Sequence, residues 1–220
     1  MAPPGAMGDE ELYLFDLQGW IIVEGALSAQ EVARLNAEVD RSQAAGELKE
    51  YPRDLSGGSS ALAGAPIPGQ PEGRHRLDLG GMLRWESPRS DPFRDLLVHA
   101  STKPYLDVIL GKEHRLDHGP GLIAMDPGTQ GGTLHHGAAD IFDFSLAYEF
   151  KNGRVMTGLT VVEYLLADEG PGDGGVAIIS GSHKANVPAP RSIKLMQDHQ
   201  HAVTELNGRA GDAIIFTETW

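Results

Sequence analysis

The chain has 220 residues, 40% of them hydrophobic, which is enough to bury one sizeable core and predicts a single domain over residues 1–220. A formal net charge of -13 argues against nucleic acid as a partner, because recognition of phosphate backbones usually begins with a basic surface. Without cysteine there are no disulfides and no thiolate ligands, so a bound metal must use His, Asp, Glu or water. That ligand set favours iron(II) or manganese over structural zinc.

The sequence contains no apolar run of about 18 residues, the length that a membrane-spanning helix requires. Its start, MAPPGAMGDEE, has neither the basic nor the apolar region of a signal peptide. We therefore expect no membrane partner and a cytoplasmic location.

The first part of the chain predicts a short strand followed by a helix. Residues 20–23 are rich in β-branched side chains, which suits a strand. Ser28 and Glu31 have the spacing of a capping box, and the apolar pattern that follows ends at Gly46. The residues on that apolar face are Val32, Leu35 and Val39. We expect this helix to pack on a sheet.

The middle of the chain predicts a long loop and two short helices. Residues 55–73 are rich in glycine and proline and predict no regular element. Asp91 before Pro92 predicts one helix start, and Ser101 or Thr102 ahead of residues 104–110 predicts a second. Residues 1–112 are therefore expected to form a helical cap.

From about residue 113 onward the sequence changes to short apolar runs separated by glycine turns, which predicts strands. The runs are 122–125, 155–166, 176–179, 202–206 and 213–216. Successive strands without intervening helices favour an antiparallel sandwich or barrel. The expected fold is mainly β with an α-helical N-terminal cap, a double-stranded β-helix (jelly roll, cupin-like) whose β-core over 113–220 is incomplete.

Two neighbouring histidines are the densest candidate for chemistry. His135 and His136 lie among small residues in GGTLHHGAAD. Neighbouring residues of a strand point to opposite faces, so we expect only one of them to face a barrel interior. Surface or hydrogen-bonded histidines are an equally good interpretation of the spacing alone.

A second candidate region runs from Asp168 to Lys184, where a glycine-rich turn leads into a strand and a polar loop. Ser182, His183 and Lys184 in that loop are candidates for lining a substrate or cofactor pocket. For His183 a turn-capping role is favoured over substrate contact. The glycines precede a strand and no helix start follows them, so a nucleotide-binding fold is excluded.

Several segments together resemble the phytanoyl-CoA dioxygenase family. They are FDLQGWIIVEGALSAQEVARLNAEVD at 15–40, GDGG at 172–175, GSHK at 181–184 and RAGDAIIF at 209–216. The resemblance implies iron(II), 2-oxoglutarate as cosubstrate, and molecular oxygen. It also implies hydroxylation of a small organic substrate, with succinate and carbon dioxide as coproducts, and nothing in the sequence marks a coenzyme A site.

The family's metal site has two histidines and one carboxylate, and by resemblance the first histidine maps to His135 or His136, with His135 preferred. The usual acid two residues later is absent, because Gly137 and Ala138 occupy those positions. Three alternatives follow. Another acid completes the site, namely Asp140, Asp143 or Glu218; or the site has no acid; or a halide ion occupies the position of the acid. The last arrangement occurs in related iron halogenases and is retained as a lower-ranked alternative.

By the same resemblance, the second histidine and the arginine that anchors 2-oxoglutarate are expected beyond Trp220, so a truncated chain is expected. An apolar strand near the chain end would leave the sheet without its closing partner. The principal alternative is therefore a noncatalytic jelly-roll remnant or binding protein that holds no iron.

Overall fold

The computed structural model describes residues 7–50, 76–125, 134–135, 146–185, 187–194 and 200–218. Within these ranges the α-helices are α1 (Asp9–Gln18), α2 (Ala29–Ala44), α3 (Asp91–Leu96), α4 (Lys103–Ile109) and α5 (Arg191–Lys194). The strands are β1 (Trp20–Val23), β2 (Lys49–Glu50), β3 (Arg76–Gly80), β4 (Gly121–Met125), β5 (Tyr148–Lys151), β6 (Arg154–Thr157), β7 (Thr160–Tyr164), β8 (Ala177–Ile178), β9 (Thr204–Glu205) and β10 (Ala213–Thr217).

The central sheet has the strand order β1-β10-β7, and all of its pairs are antiparallel. One register line runs from Ile22 through Ile214 to Glu163. Ile214 and Ile215 are completely buried, as expected for the middle strand of a sheet that is covered on both faces. We call the face that carries Ile214 and Glu163 the inner face, and the opposite one the outer face.

Helices cover the outer face of the central sheet. Ile215 of β10 packs with Phe15 of α1 and Ile109 of α4, and all three are almost fully buried. On the inner face, Ile214 packs with Leu165 and with Leu206, which follows β9. The central sheet therefore lies between a helical layer and the small β8-β9 pair.

The capping box predicted for α2 is present. The backbone N–H of Ser28 donates to Glu31 Oε2 at 2.7 Å, and the backbone N–H of Glu31 donates to Ser28 Oγ at 3.3 Å. The predicted apolar face buries Val32 and Leu35. These two side chains pack against Leu79 of the second sheet, whose order is β2-β3-β4. The prediction that this helix packs on a sheet is confirmed.

Several boundaries differ from the sequence expectations. Residues 155–166 form two strands, β6 and β7, because the chain turns at Gly158, whose N–H donates to the Ala147 carbonyl at 3.0 Å. Asp91 is the first residue of α3, and Ser90 occupies its N-cap. Strands β1, β2 and β3 fall within the predicted helical cap over 1–112. The predicted loop over residues 55–73 lies outside the described residues.

The strands of the described ranges form four small antiparallel sheets, and these do not close into a barrel. Helices account for much of the described chain before residue 112, and most of the strands follow it. In the described ranges, no helix is long and apolar enough to cross a membrane.

Candidate functional site

The Gly-Ser-His-Lys segment turns away from β8 and lies against the end of α1. Gly181 has a φ of +82°, a left-handed conformation that favours glycine, and its N–H donates to the Gln18 carbonyl at 2.9 Å. Ser182, His183 and Lys184 then form a single 3-10 turn. Gly181 therefore makes the turn possible, and its backbone hydrogen bond to Gln18 fixes the turn to α1.

His183 is buried in the contact between this turn and α1. Its side chain is 6% exposed, and Nε2 lies 3.1 Å from the backbone carbonyl of Asp16, to which it donates. The ring meets that of Tyr148 edge to face at a centroid distance of 4.5 Å. Burial lowers the pKa of His183, and the charge of Lys184 lowers it further, against the hydrogen bond to Asp16 that raises it. His183 is therefore a neutral packing residue in this arrangement.

Asp16 joins β5 and the Gly-Ser-His-Lys turn to α1. Its carboxylate accepts a hydrogen bond from Tyr148 Oη at 2.6 Å and one from Lys184 Nζ at 2.8 Å. Burial raises the pKa of the Asp16 carboxyl, but these two hydrogen bonds outweigh it and hold the pKa below its usual value. We call Asp16, Tyr148, His183 and Lys184 the α1 clasp. Two of the three residues predicted to line a pocket, His183 and Lys184, belong to this clasp.

The Gly-Asp segment before β10 forms a second junction. Asp212 is 8% exposed, and its carboxylate accepts from the N–H of Gly25 at 2.8 Å and from that of Arg209 at 2.7 Å. Gly211, with a φ of +101°, accepts from the Leu27 N–H, and a Cβ at Gly211 would lie 2.8 Å from the Leu27 carbonyl. The motif thus ties the start of β10 to the chain leading into α2. It acts as a structural junction.

The predicted histidine ligands fall at the border of the described residues. Leu134 is buried, and its N–H donates to the carbonyl of Lys194 in α5 at 3.0 Å. The side chain of His135 is exposed. His136 and Asp140, the neighbouring predicted ligands, lie outside the described residues, as does Asp143. The geometry therefore leaves the choice between His135 and His136 as a prediction.

Glu218, another predicted ligand, follows β10 directly. Its N–H donates to the Leu159 carbonyl at 3.1 Å, and its side chain is partly buried. Thr217 beside it is 5% exposed, and its hydroxyl lies 2.9 Å from that of Thr157. These contacts fix the backbone at the end of β10, and a metal-binding role for Glu218 stays a prediction.

Two acidic residues that the sequence analysis did not single out are partly buried, Glu163 in β7 and Glu169 beyond its end. Glu163 lies on the inner face of the central sheet, and burial raises its pKa to about 7, helped by the charge of Glu169. Glu169 also has a raised pKa, chiefly through burial, and its Oε2 has no hydrogen-bond partner among the described residues. The sequence contains a signal for the unusual position of Glu163, because this acid interrupts the apolar run TVVEYLL.

The described residues alone do not assemble an iron site. Among them, no group of three His, Asp or Glu side chains has the geometry to hold a metal ion. A site with two histidines and one carboxylate needs three such groups around one point.

The model of the phytanoyl-CoA dioxygenase family matches residues 15–219. The chain belongs to the phytanoyl-CoA dioxygenase family. It is accordingly an oxidoreductase of the iron(II)- and 2-oxoglutarate-dependent dioxygenase type. The family and its cofactors, which the sequence motifs predicted, are confirmed. No curated protein sequence matches the chain.

Several solved structures have a similar fold. HygX from Streptomyces hygroscopicus, with nickel, 2-oxoglutarate and hygromycin B bound, is 20% identical, with a TM-score of 0.70 over 98% of this chain and 80% of that chain. EctD from S. alaskensis, in its apoform, is 21% identical, with a TM-score of 0.58 over 100% of this chain and 71% of that chain. The carbocyclase SnoK from nogalamycin biosynthesis is 13% identical, with a TM-score of 0.56 over 96% and 74%. These likenesses establish the fold that the chain shares with them.

Proposed function

We propose that this dioxygenase hydroxylates a small organic molecule, with 2-oxoglutarate as cosubstrate and molecular oxygen as oxidant. The observation that carries the proposal is the family match over residues 15–219, which includes every candidate site residue. The related HygX structure with hygromycin B and the SnoN structure with nogalamycin RO support a small-molecule substrate. We further propose that residues 1–220 fold as a single domain with the double-stranded β-helix architecture.

For the metal we propose His135 or His136 as the first ligand, with Asp140 or Glu218 as the carboxylate. These are hard or borderline ligands, which suit iron(II) and leave open positions for a chelating 2-oxo acid and oxygen. When bound, iron supplies the oxidising chemistry. The chain's own residues hold the substrate and exclude water.

The chain itself fixes the backbone of two of the segments that carry the family resemblance. The α1 clasp holds the Gly-Ser-His-Lys turn through Asp16, with contacts of 2.6 to 3.1 Å. The buried carboxylate of Asp212 holds the start of β10. Rigid support of this kind is what a substrate-positioning site requires, since small displacements reduce the rate of an oriented reaction strongly. Ser182 stays a candidate for contact with substrate.

The proposal is tested by 2-oxoglutarate turnover. The purified chain is given iron(II), ascorbate, oxygen and 2-oxoglutarate, and succinate is quantified with and without a panel of small polar natural products. We expect iron-dependent succinate formation that a substrate stimulates, and a product heavier by one oxygen atom. Succinate formation that is indifferent to iron, or absent with the whole panel, contradicts the proposal.

A matched pair of substitutions distinguishes the two histidines and tests the halogenase alternative. If His135 is the ligand, Gly137→Asp supplies the acid at the usual spacing and strengthens iron binding, whereas Ala138→Asp does so if His136 is the ligand. In chloride buffer, a chlorinated product that disappears in the strengthened variant identifies halogenation. An oxygenated product in both proteins identifies hydroxylation.

A further inference from the structure

Glu163 lies in an unusual position for an acidic residue. It occupies the inner face of β7, opposite the completely buried Ile214 of β10. Two residues further along the same face, Leu165 is 2% exposed and packs with Ile214 and Leu206. The adjacent residue Tyr164 points the other way, towards the helices, where its hydroxyl lies 2.6 Å from Thr102 Oγ1. The side chain of Glu163 therefore lies on the inner face, on the side of the sheet away from Tyr164.

Within the described ranges, nothing compensates the charge of Glu163. No described residue donates a hydrogen bond to its carboxylate or forms an ion pair with it, although the side chain is partly buried. The negative charge of Glu169 repels that of Glu163 and raises its pKa. The charges of Asp173 and Glu205 raise the pKa of Glu169 in the same way. Carboxylates in apolar surroundings are normally paired or hydrogen-bonded, because removing them from water carries a large penalty.

Two other acids, one in the α1 clasp and one at the junction before β10, provide the contrast within the same fold. Asp16 has a cation and a phenol at hydrogen-bond distance, and Asp212 has two backbone N–H groups. Asp16 and Asp212 are thus compensated, whereas Glu163 has no such partner among the described residues. Uncompensated groups of this kind are typical of ligand-binding positions, where the ligand supplies the missing charge.

We propose that Glu163 binds a cationic group of the substrate, which makes the substrate an amine-bearing small molecule. This inference rests on the proposed function and names its substrate class. A primary ammonium matches the position, since it supplies both the positive charge and the N–H donors that the carboxylate lacks. The formal net charge of -13 acts in the same direction, because it attracts cations to the protein over a longer range.

The experiment follows the Glu163 carboxyl by ¹³C NMR in protein with labelled glutamate, and Glu163→Gln identifies the resonance. n-Propylammonium chloride is the probe, and n-propanol and sodium chloride at equal ionic strength are the controls. Glu149 of β5, which is exposed, provides a reference carboxyl in the same sample, with Glu149→Gln as the matched control variant. Iron and 2-oxoglutarate are not needed for this measurement, so it is independent of catalysis.

We expect propylammonium to shift the Glu163 resonance saturably, with no such effect from propanol or salt. At a concentration of ten times its dissociation constant, it should lower the pKa of Glu163 by about one unit, because it binds the ionised form selectively. We also expect Glu163→Gln to unfold at an equal or higher temperature than the unsubstituted chain, since it removes an uncompensated charge.

Either of two results overturns the proposal: propylammonium shifts Glu163 no more than Glu149, or Glu163→Gln lowers the unfolding temperature as a lost structural contact would. The proposed function fails separately. If 2-oxoglutarate turnover is absent while propylammonium still shifts Glu163, the cation site stands and the oxygenase assignment does not.

Discussion

Replacing Asp212 by alanine removes both acceptors that fix the junction before β10. The N–H groups of Gly25 and Arg209 then lose hydrogen bonds of 2.8 and 2.7 Å to a carboxylate that is 8% exposed. Hydrogen bonds to charged groups contribute about 1.5 to 3 kcal/mol each, so the loss of both is expected to lower the free energy of unfolding by about 3 to 6 kcal/mol. Asp212→Asn keeps one acceptor and should lose about half of that.

The loss converts into a measurable shift of the unfolding temperature. An unfolding entropy of about 2.1 cal/mol/K per residue gives about 0.46 kcal/mol/K for 220 residues, so Asp212→Ala should unfold about 10 °C lower. Thermal unfolding followed by circular dichroism measures this shift. The control is Asp117→Ala, since the Asp117 side chain is 71% exposed and should change the temperature little. If Asp212→Ala unfolds within about 2 °C of the unsubstituted chain, the junction does not have the role described.

Three further predictions concern the α1 clasp. Gly19→Ala should lower the free energy of unfolding by about 2 to 4 kcal/mol, and Gly46→Ala by about 1 kcal/mol. Both glycines have positive φ, but only a Cβ at Gly19 would meet another residue, at 2.5 Å from His183 Nδ1. Equal urea midpoints for the two variants would contradict this. Tyr148→Phe should lose about 1 to 3 kcal/mol, since it removes the 2.6 Å hydrogen bond to Asp16, and urea unfolding showing no loss would refute that contact. Burial lowers the pKa of His183 below 6.5, so its contribution to stability is present above pH 6.5 and is lost as the pH falls through the folded-state value. Urea unfolding at several pH values should therefore show a flatter acid limb for His183→Gln, and an identical limb would exclude His183 as the cause.

Elements specified by local signals were predictable from the sequence. The capping box at Ser28 and Glu31 located the start of α2, and the Gly-Asp turn followed by an apolar run located β10. In both cases the residues that decide the structure are within a few positions of each other, so a short window contains the whole signal.

Elements that depend on distant packing were missed. The sequence analysis did not predict α1, because the apolar residues of this helix are not segregated on one face. The helix is stabilised by a hydrogen bond from the Gly8 N–H to Glu11 Oε2 at 2.7 Å and by the burial of Phe15. A local signal was also overlooked, because Asn152 and Gly153 both have positive φ and form the two-residue turn between β5 and β6. Asn-Gly is the strongest short-range hairpin signal.

For the candidate site too, local features were predictable from the sequence and long-range contacts were not. The motifs identified the Gly-Ser-His-Lys turn and the Gly-Asp junction, but not what their side chains do. Asp16 and Lys184 are 168 positions apart, and no periodicity could have paired them. Their ion pair at 2.8 Å gives Lys184 an internal partner, although the sequence had suggested that it lines a pocket.

The central claim, that this chain binds iron(II) and 2-oxoglutarate through His135 or His136, is tested most directly by anaerobic titration. Iron(II) and 2-oxoglutarate are added under nitrogen, and the weak visible charge-transfer band of their chelate is recorded for the chain and for His135→Ala and His136→Ala. The account predicts a saturable band that one of the two substitutions abolishes and the other leaves intact. No band in the unsubstituted chain, or a band that survives both substitutions, would contradict it.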